Sequence, residues 1–183
     1  TQFRVDAATS ADFGGLLWSN DWDAFTSTTV LGLTRNTTYH LRVEARNAAG
    51  TRTAFLYMGA TSTLVSFPVD GGNPFPTVFA SSLTASWATA GNPSWTLYEV
   101  VVSTLSTLPV GAAHEVKAAT ADPGGAVMAG LLANSTWYLN VRAVNWNGVY
   151  SEWSAGLGST VTRIETPAGV NFDAISSNSI VAV

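Results

Sequence analysis

"NTTYHLRVEARNAAG" at residues 36–50 and "NSTWYLNVRAVNWNG" at residues 134–148 decide how this chain folds. In the first, Tyr39, Leu41, Val43 and Ala45 alternate with His40, Arg42, Glu44 and Arg46. That puts an apolar face opposite a polar one, the period-2 pattern of a half-buried antiparallel strand. In the second, Trp137, Leu139, Val141 and Ala143 keep the same beat. The two stretches are copies at an offset of 98, and the copying extends further. "TQFRVDAATS" from Thr1 matches "TLYEVVVSTL" from Thr96 at an offset of 95, and "FDAISSNSIVAV" from Phe172 matches "FPTVFASSLTAS" from Phe75 at an offset of 97. A period near 97 built of strands and short turns marks tandem β-sandwich modules. Helical periodicity with caps is confined to one weak candidate, Ala112 to Ala119.

The order of the copies sets the frame. Residues 67–165 contain every element of the repeat, residues 1–66 only its later part, and residues 166–183 only its earliest part. The 183 residues thus span two periods and are cut inside a module. Without an initiator Met or a signal-peptide pattern, the sequence reads as a processed form or an excerpt.

Composition narrows the function. Charged residues make up 11% of the chain and apolar ones 46%, so Ser, Thr, Asn and Gly must supply the polar surface, a composition commoner outside cells. Net charge is −4 with one lysine, Lys117, and no cluster of basic residues. That argues against nucleic acid, whose phosphates need clustered Lys and Arg. The chain lacks cysteine, which excludes disulfides and thiol chemistry. Gly71 to Tyr98 is free of charge, but Pro74, Pro76 and Pro93 break it, so no membrane span is expected there.

The residues around the two copied strands resemble those of tandem fibronectin type III domains. Leu33, Thr37, Tyr39, Val43, Ala45, Asn47 and Gly50 fill the places of the E–F corner and strand F, as do Leu131, Ser135, Trp137, Val141, Ala143, Asn145 and Gly148 in the second copy. Trp87 in "SSLTASW" matches the strand B Trp, and Phe3 and Tyr98 match the strand C aromatic. Trp137 departs from the pattern, standing where the family has a Tyr whose hydroxyl bonds back to the chain. The resemblance implies an all-β fold of tandem seven-stranded, two-sheet sandwiches, usually extracellular, that bind or space. It makes residues 1–66 an incomplete module of strands C to G that lacks strands A and B. Residues 67–165 are then a complete module, and 166–183 the A and B strands of a further one. Past Val183 the frame would resume at the equivalent of Trp87, so the stretch missing between the ends corresponds to residues 87–95.

A sandwich without strands A and B exposes an apolar groove and an unpaired edge, which invites a strand from elsewhere. The tail carries the apolar set those strands would supply, Val170, Phe172, Ile175, Ile180 and Val183. The expected partner is therefore another copy of the chain, joined head to tail by donor-strand exchange, or an adjacent repeat of the same polypeptide. An isolated truncated fragment is the remaining alternative. Folding back of the tail is disfavoured, because the central module intervenes and "TRIETPAG" at 162–169 is a short linker.

Chemistry-bearing motifs are sparse. His40 and His114 lie in different modules, no catalytic Ser–His–Asp or Gly-rich phosphate motif occurs, and Asp21 and Asp23 offer too few oxygens for Ca²⁺. No catalytic residue, metal site or cofactor is expected. Asn36 and Asn134 head N-x-S/T sequons at the same corner of each copy, where turn chemistry also favours Asn. The loop "NWNGVYSEW" presents Trp146, Tyr150 and Trp153, suited to a glycan or a protein partner or, as structural residues, to packing on strand G and on the neighbouring module. The leading expectation is a non-enzymatic extracellular or cell-surface structural protein, part of a filament or stalk. The alternatives are an adhesin-like module using those loop aromatics and an accessory domain of a secreted glycan-degrading enzyme.

Overall fold

The alternation in the two copied stretches becomes a pair of nine-residue strands, Thr38–Arg46 and Thr136–Val144. The computed structural model describes residues 1–183 apart from 109–114, 123, 155, 170–171, 176–177, 179 and 183. In chain order the strands are β1 (Gln2–Ala8), β2 (Leu16–Ser19), β3 (Thr38–Arg46), β4 (Leu56–Ser62), β5 (Thr77–Val78), β6 (Ser82–Ala85) and β7 (Leu97–Ser103). They continue as β8 (Glu115–Thr120), β9 (Ala126–Ala129), β10 (Thr136–Val144), β11 (Ser159–Val161), β12 (Phe172–Ile175) and β13 (Ile180–Ala182). Among the described residues there is no helix, and hence none long and apolar enough to cross a membrane. The weak helical candidate proves to be a strand from Glu115 on. Residues 115–120 pair antiparallel with β7, from Ser103↔Glu115 to Tyr98↔Thr120, and that sheet pairing overrides a weak local signal.

The second module holds two sheets face to face. β11-β10-β7-β8 form one and β5-β6-β9 the other, corresponding to strands G, F, C, C′ and A, B, E. Tyr98, Val100 and Val102 on β7 stand opposite Ala143, Val141 and Leu139 on β10. Leu83, Ala85, Trp87, Ala126 and Met128 cover them from the other sheet, and all are buried in one cluster. Trp87 and Tyr98 meet edge to face with centroids 5.3 Å apart. This is the alternate inward packing that a sandwich core requires.

The same local chemistry builds both E–F corners. The backbone N–H of Thr34 donates to the Tyr39 hydroxyl at 2.9 Å, whereas Trp137 Nε1 donates to the Leu132 carbonyl at 3.5 Å. The indole therefore ties its corner to the corresponding residue with the polarity reversed. After each long strand, Asn47 Oδ1 accepts from Ala49 and Thr51, and Asn145 Oδ1 from Asn147 and Val149. Gly50 and Gly148 close these turns at φ of 82° and 76°, a conformation that favours glycine.

The first module contains one sheet, β2-β1-β3-β4. It lacks strands A and B, as expected, and it also lacks a formed strand E. Residues 28–31, the counterpart of β9, pair with nothing among the described strands. β9 is held by β6, and the first module has no equivalent of β6 to hold it.

Candidate functional site, an open sheet face and a tail hairpin

The two faces of the first module's sheet invert the usual arrangement. On the outer face, Asp6 is 0% and Glu44 4% exposed although both are carboxylates. Arg42 Nε sits 2.9 Å from Asp6 Oδ2, Ser19 donates to Asp6 Oδ1 at 2.7 Å, and Arg4 Nη2 reaches Glu44 at 2.9 Å. Aromatic rings close the ladder from above, with Arg42 stacked 3.8 Å from the Phe55 centroid and Arg46 4.5 Å from that of Trp22. Buried carboxylates of this kind persist only when paired and hydrogen-bonded.

The inner face is covered only in part. Phe3, Val5, Leu41 and Val43 are the counterparts of Tyr98, Val100, Leu139 and Val141, which are buried in the second module. Here they line an open groove of about 400 Å³ with Phe25, Val30 and Met58. Leu31 and Phe25, on the unpaired strand E segment and the loop before it, are both 72% exposed. Contiguous exposed apolar surface of this kind marks an interaction site.

In the tail, β12 and β13 form a two-stranded sheet of their own. Ala174 pairs with Val181 and Ile175 with Ile180. In the second module Thr77 pairs with Thr84 and Val78 with Leu83, each 97 residues earlier in the chain. The tail thus has the backbone register of an A–B hairpin. Of the proposed donor residues, Phe172, Ile175 and Ile180 lie on these strands, while Val170 and Val183 lie outside the described residues.

Between the two modules a junction forms around Asn36, which is 1% exposed. Its Nδ2 donates to Thr96 Oγ1 at 3.0 Å, its Oδ1 accepts from the backbone N–H of Trp146 at 3.0 Å, and its carbonyl accepts from Trp95 Nε1 at 3.2 Å. Asn145 Nδ2 donates to the Thr63 carbonyl at 3.2 Å, and Asn147 Nδ2 to Thr61 Oγ1 at 3.1 Å. Gly91 lies so close to Arg35 that a Cβ there would come within 2.8 Å of the guanidinium. Asn36 and Asn134 both take positive φ, 45° and 50°, and so occupy equivalent turn positions. Asn36 is buried at the junction, and a glycan on it would require the junction to open; Asn134 is exposed.

The loop aromatics diverge. Trp146 lies at the junction, 59% exposed, and lines a shallow hollow with Trp95, Thr37 and Thr38. Tyr150 and Trp153 instead clamp the guanidinium of Arg142, at 3.9 and 4.4 Å from their centroids, and Arg142 pairs with Glu99 at 2.5 Å. His40 bonds the Tyr57 hydroxyl at 2.9 Å, Asp23 Oδ1 accepts from the N–H of Phe25 in a local turn, and His114 lies outside the described residues. The acceptor Thr96 and the donors Asn145 and Asn147 do not stand out as a set in the sequence, where the copied Asn residues are the one signal of the junction.

No protein-family model and no curated protein matches the chain. Among solved structures, a segment of two fibronectin type III domains from chicken tenascin superposes with a TM-score of 0.56 at 16% identity, over 89% of this chain and 84% of that one. The FN1–FN3 domains of chicken CNTN1 align at 15% identity and a TM-score of 0.41, over 88% of this chain and 56% of that one. The tenascin likeness and the strand order together give the fold class: tandem fibronectin type III-like sandwiches, the first lacking strands A and B.

Proposed function

We propose that the chain is a non-enzymatic structural protein of the cell surface or extracellular space, a subunit or repeating segment of a filament or stalk. Its modules are completed head to tail by strands from the neighbour, supplied by a separate copy or by continuation of the same polypeptide. One observation carries this reading: the first module's half-open inner face and the tail's hairpin, whose register is that of the two strands this face lacks.

The second module supplies the register of the joint. There Leu83 stands opposite Met128, Thr84 opposite Val127 and Ala85 opposite Ala126. Carried over at offsets of 97 for the hairpin and 98 for strand E, the same pairing would set Ile180 opposite Val30, Val181 opposite Thr29 and Ala182 opposite Thr28. Main-chain bonds then give affinity and the inward side chains give fit. Because donor and acceptor surfaces differ, the contact is head to tail, and it propagates as a fibre when the rotation between copies does not close a ring. The Ser- and Thr-rich, weakly charged composition supports a place outside the cell. An adhesin role for the loop draws less support, since Tyr150 and Trp153 are committed to Arg142.

The test uses the absence of native cysteine. Thr29→Cys and Val181→Cys are introduced together; their counterparts Val127 and Thr84 lie off the core cluster, so that cluster's equivalent stays whole. Mild oxidation is expected to give a ladder of multimers on a non-reducing gel. With the 183-residue chain alone, a disulfide found only within monomers, or no disulfide at all, overturns the reading. The mass of the denatured native polypeptide separates its two forms: near 19.2 kDa for strand exchange between chains, far larger for covalent continuation.

A further inference from the structure

The junction inside the chain is repeated, in unpaired halves, at its two ends. We propose that the E–F corner of the second module docks on the loops of the first module of a second copy, through the same hydrogen bonds that join the two modules within one chain. This rests on the head-to-tail reading above and adds to strand donation a second, polar contact between copies.

The corner half is complete. Asn134 is the counterpart of Asn36, with the same left-handed backbone and the same bond from its N–H to the strand G end: Asn36 to Leu64 at 3.4 Å, Asn134 to Arg163 at 3.2 Å. Thr162 is the counterpart of Thr63. Thr63 Oγ1 donates to the carbonyls of Thr34 and Thr37, and Thr162 Oγ1 to those of Leu132 and Ser135. In the internal junction this corner offers the Asn36 amide and the Thr63 carbonyl. In the second module the Asn134 side chain has no hydrogen-bond partner among the described residues.

The loop half is present at the other end of the chain. Thr1 aligns with Thr96, Asn47 with Asn145 and Ala48 with Trp146. Asn47 already uses its Oδ1 within its own turn, as Asn145 does, and the residue is exposed, which keeps its Nδ2 for the same task. Three bonds of the internal junction can therefore form between copies: Asn134 Nδ2 to Thr1 Oγ1, the N–H of Ala48 to Asn134 Oδ1, and Asn47 Nδ2 to the Thr162 carbonyl. The amide of Asn147 has no counterpart, since Ala49 stands in its place. The joint between copies is thus a weaker version of the joint within one. Its geometry agrees with strand donation, since a first module completed by the preceding tail takes the place a third module would take.

Full-length chain is studied by sedimentation, with Asn134→Gly and Ala48→Pro as probes. Glycine keeps the left-handed backbone while removing the amide. Proline fits the second position of the Asn47–Gly50 turn while removing the N–H. Each variant is expected to weaken association between copies by about tenfold, the scale of one to two net hydrogen bonds. The double variant is expected to be no weaker than Asn134→Gly alone, because the two substitutions break a shared bond. Unchanged association, or losses that simply multiply, overturns the docking; if the disulfide ladder of the Thr29→Cys, Val181→Cys chain still forms, strand donation stands without it. Sensitivity to both variants with no ladder leaves the docking standing and overturns strand donation. A wild-type chain that stays monomeric overturns both, and a native polypeptide that continues into a third module overturns a second copy as the occupant.

Discussion

Tyr98 shows how single residues respond to being sealed into the second module. Its hydroxyl is buried without a hydrogen-bond partner among the described residues. Burial pushes the phenol's pKa up, with the neighbouring Asn92 amide opposing this to a smaller extent. A raised folded-state value means stability that is fully present below about pH 10 and is lost as pH climbs through the folded value. Tyr98→Phe is expected to remove that alkaline loss and, at neutral pH, to leave stability unchanged or raise it by about 1–3 kcal/mol, since it deletes an unsatisfied buried group. Denaturant melts at pH 7 and pH 10.5 check both. The burial of Tyr98 was readable from its place in the alternation, but its lack of a partner was not. Whether a hydroxyl finds a partner depends on which groups the fold brings near, and Asn92 is instead committed to both backbone groups of Ser66.

Strand E shows why an element can be legible in sequence and still not form. Thr28 to Leu31 aligns with Ala126 to Ala129, and Gly32 and Gly130 follow at φ of 75° and 77°. The local signal is the same, yet only the second copy becomes a strand, because strand pairing needs a neighbour and the first module supplies none. In hydrogen exchange, the amides of residues 28–31 are therefore expected to exchange rapidly while those of β9 are protected. A peptide of residues 168–183 is expected to slow the first group and leave the second unchanged. Continued fast exchange at saturating peptide would count against the acceptor role of this segment. The hairpin's register was legible from the 97-residue offset, whereas the Arg–aromatic ladder over Asp6 and Glu44 was not. It joins residues from four separate segments, and period-2 alternation alone assigns those charges to water.

For the whole molecule, the two modules have unequal means of stability. The second encloses a core between two sheets, while the first has one sheet whose apolar face is only half-buried beside an open groove. Calorimetry of the monomer is expected to resolve two transitions, the lower belonging to the first module, since burial of apolar area dominates folding. The 168–183 peptide at a hundredfold excess over its Kd is expected to stabilise the lower transition by about 2.7 kcal/mol and leave the upper one in place. A single transition untouched by peptide would show that the open face is not a receptor.

The half-open face of the first module also sets how such a material would grow. Each subunit that joins fills one groove and presents another, so the number of reactive ends stays constant however long the chain of subunits becomes. Growth of that kind is polar step growth, in which any two pieces can join, and mean length rises with the ratio of subunit concentration to Kd. A loose hairpin peptide would act as a chain stopper at one end only, and a lone first module as a stopper at the other.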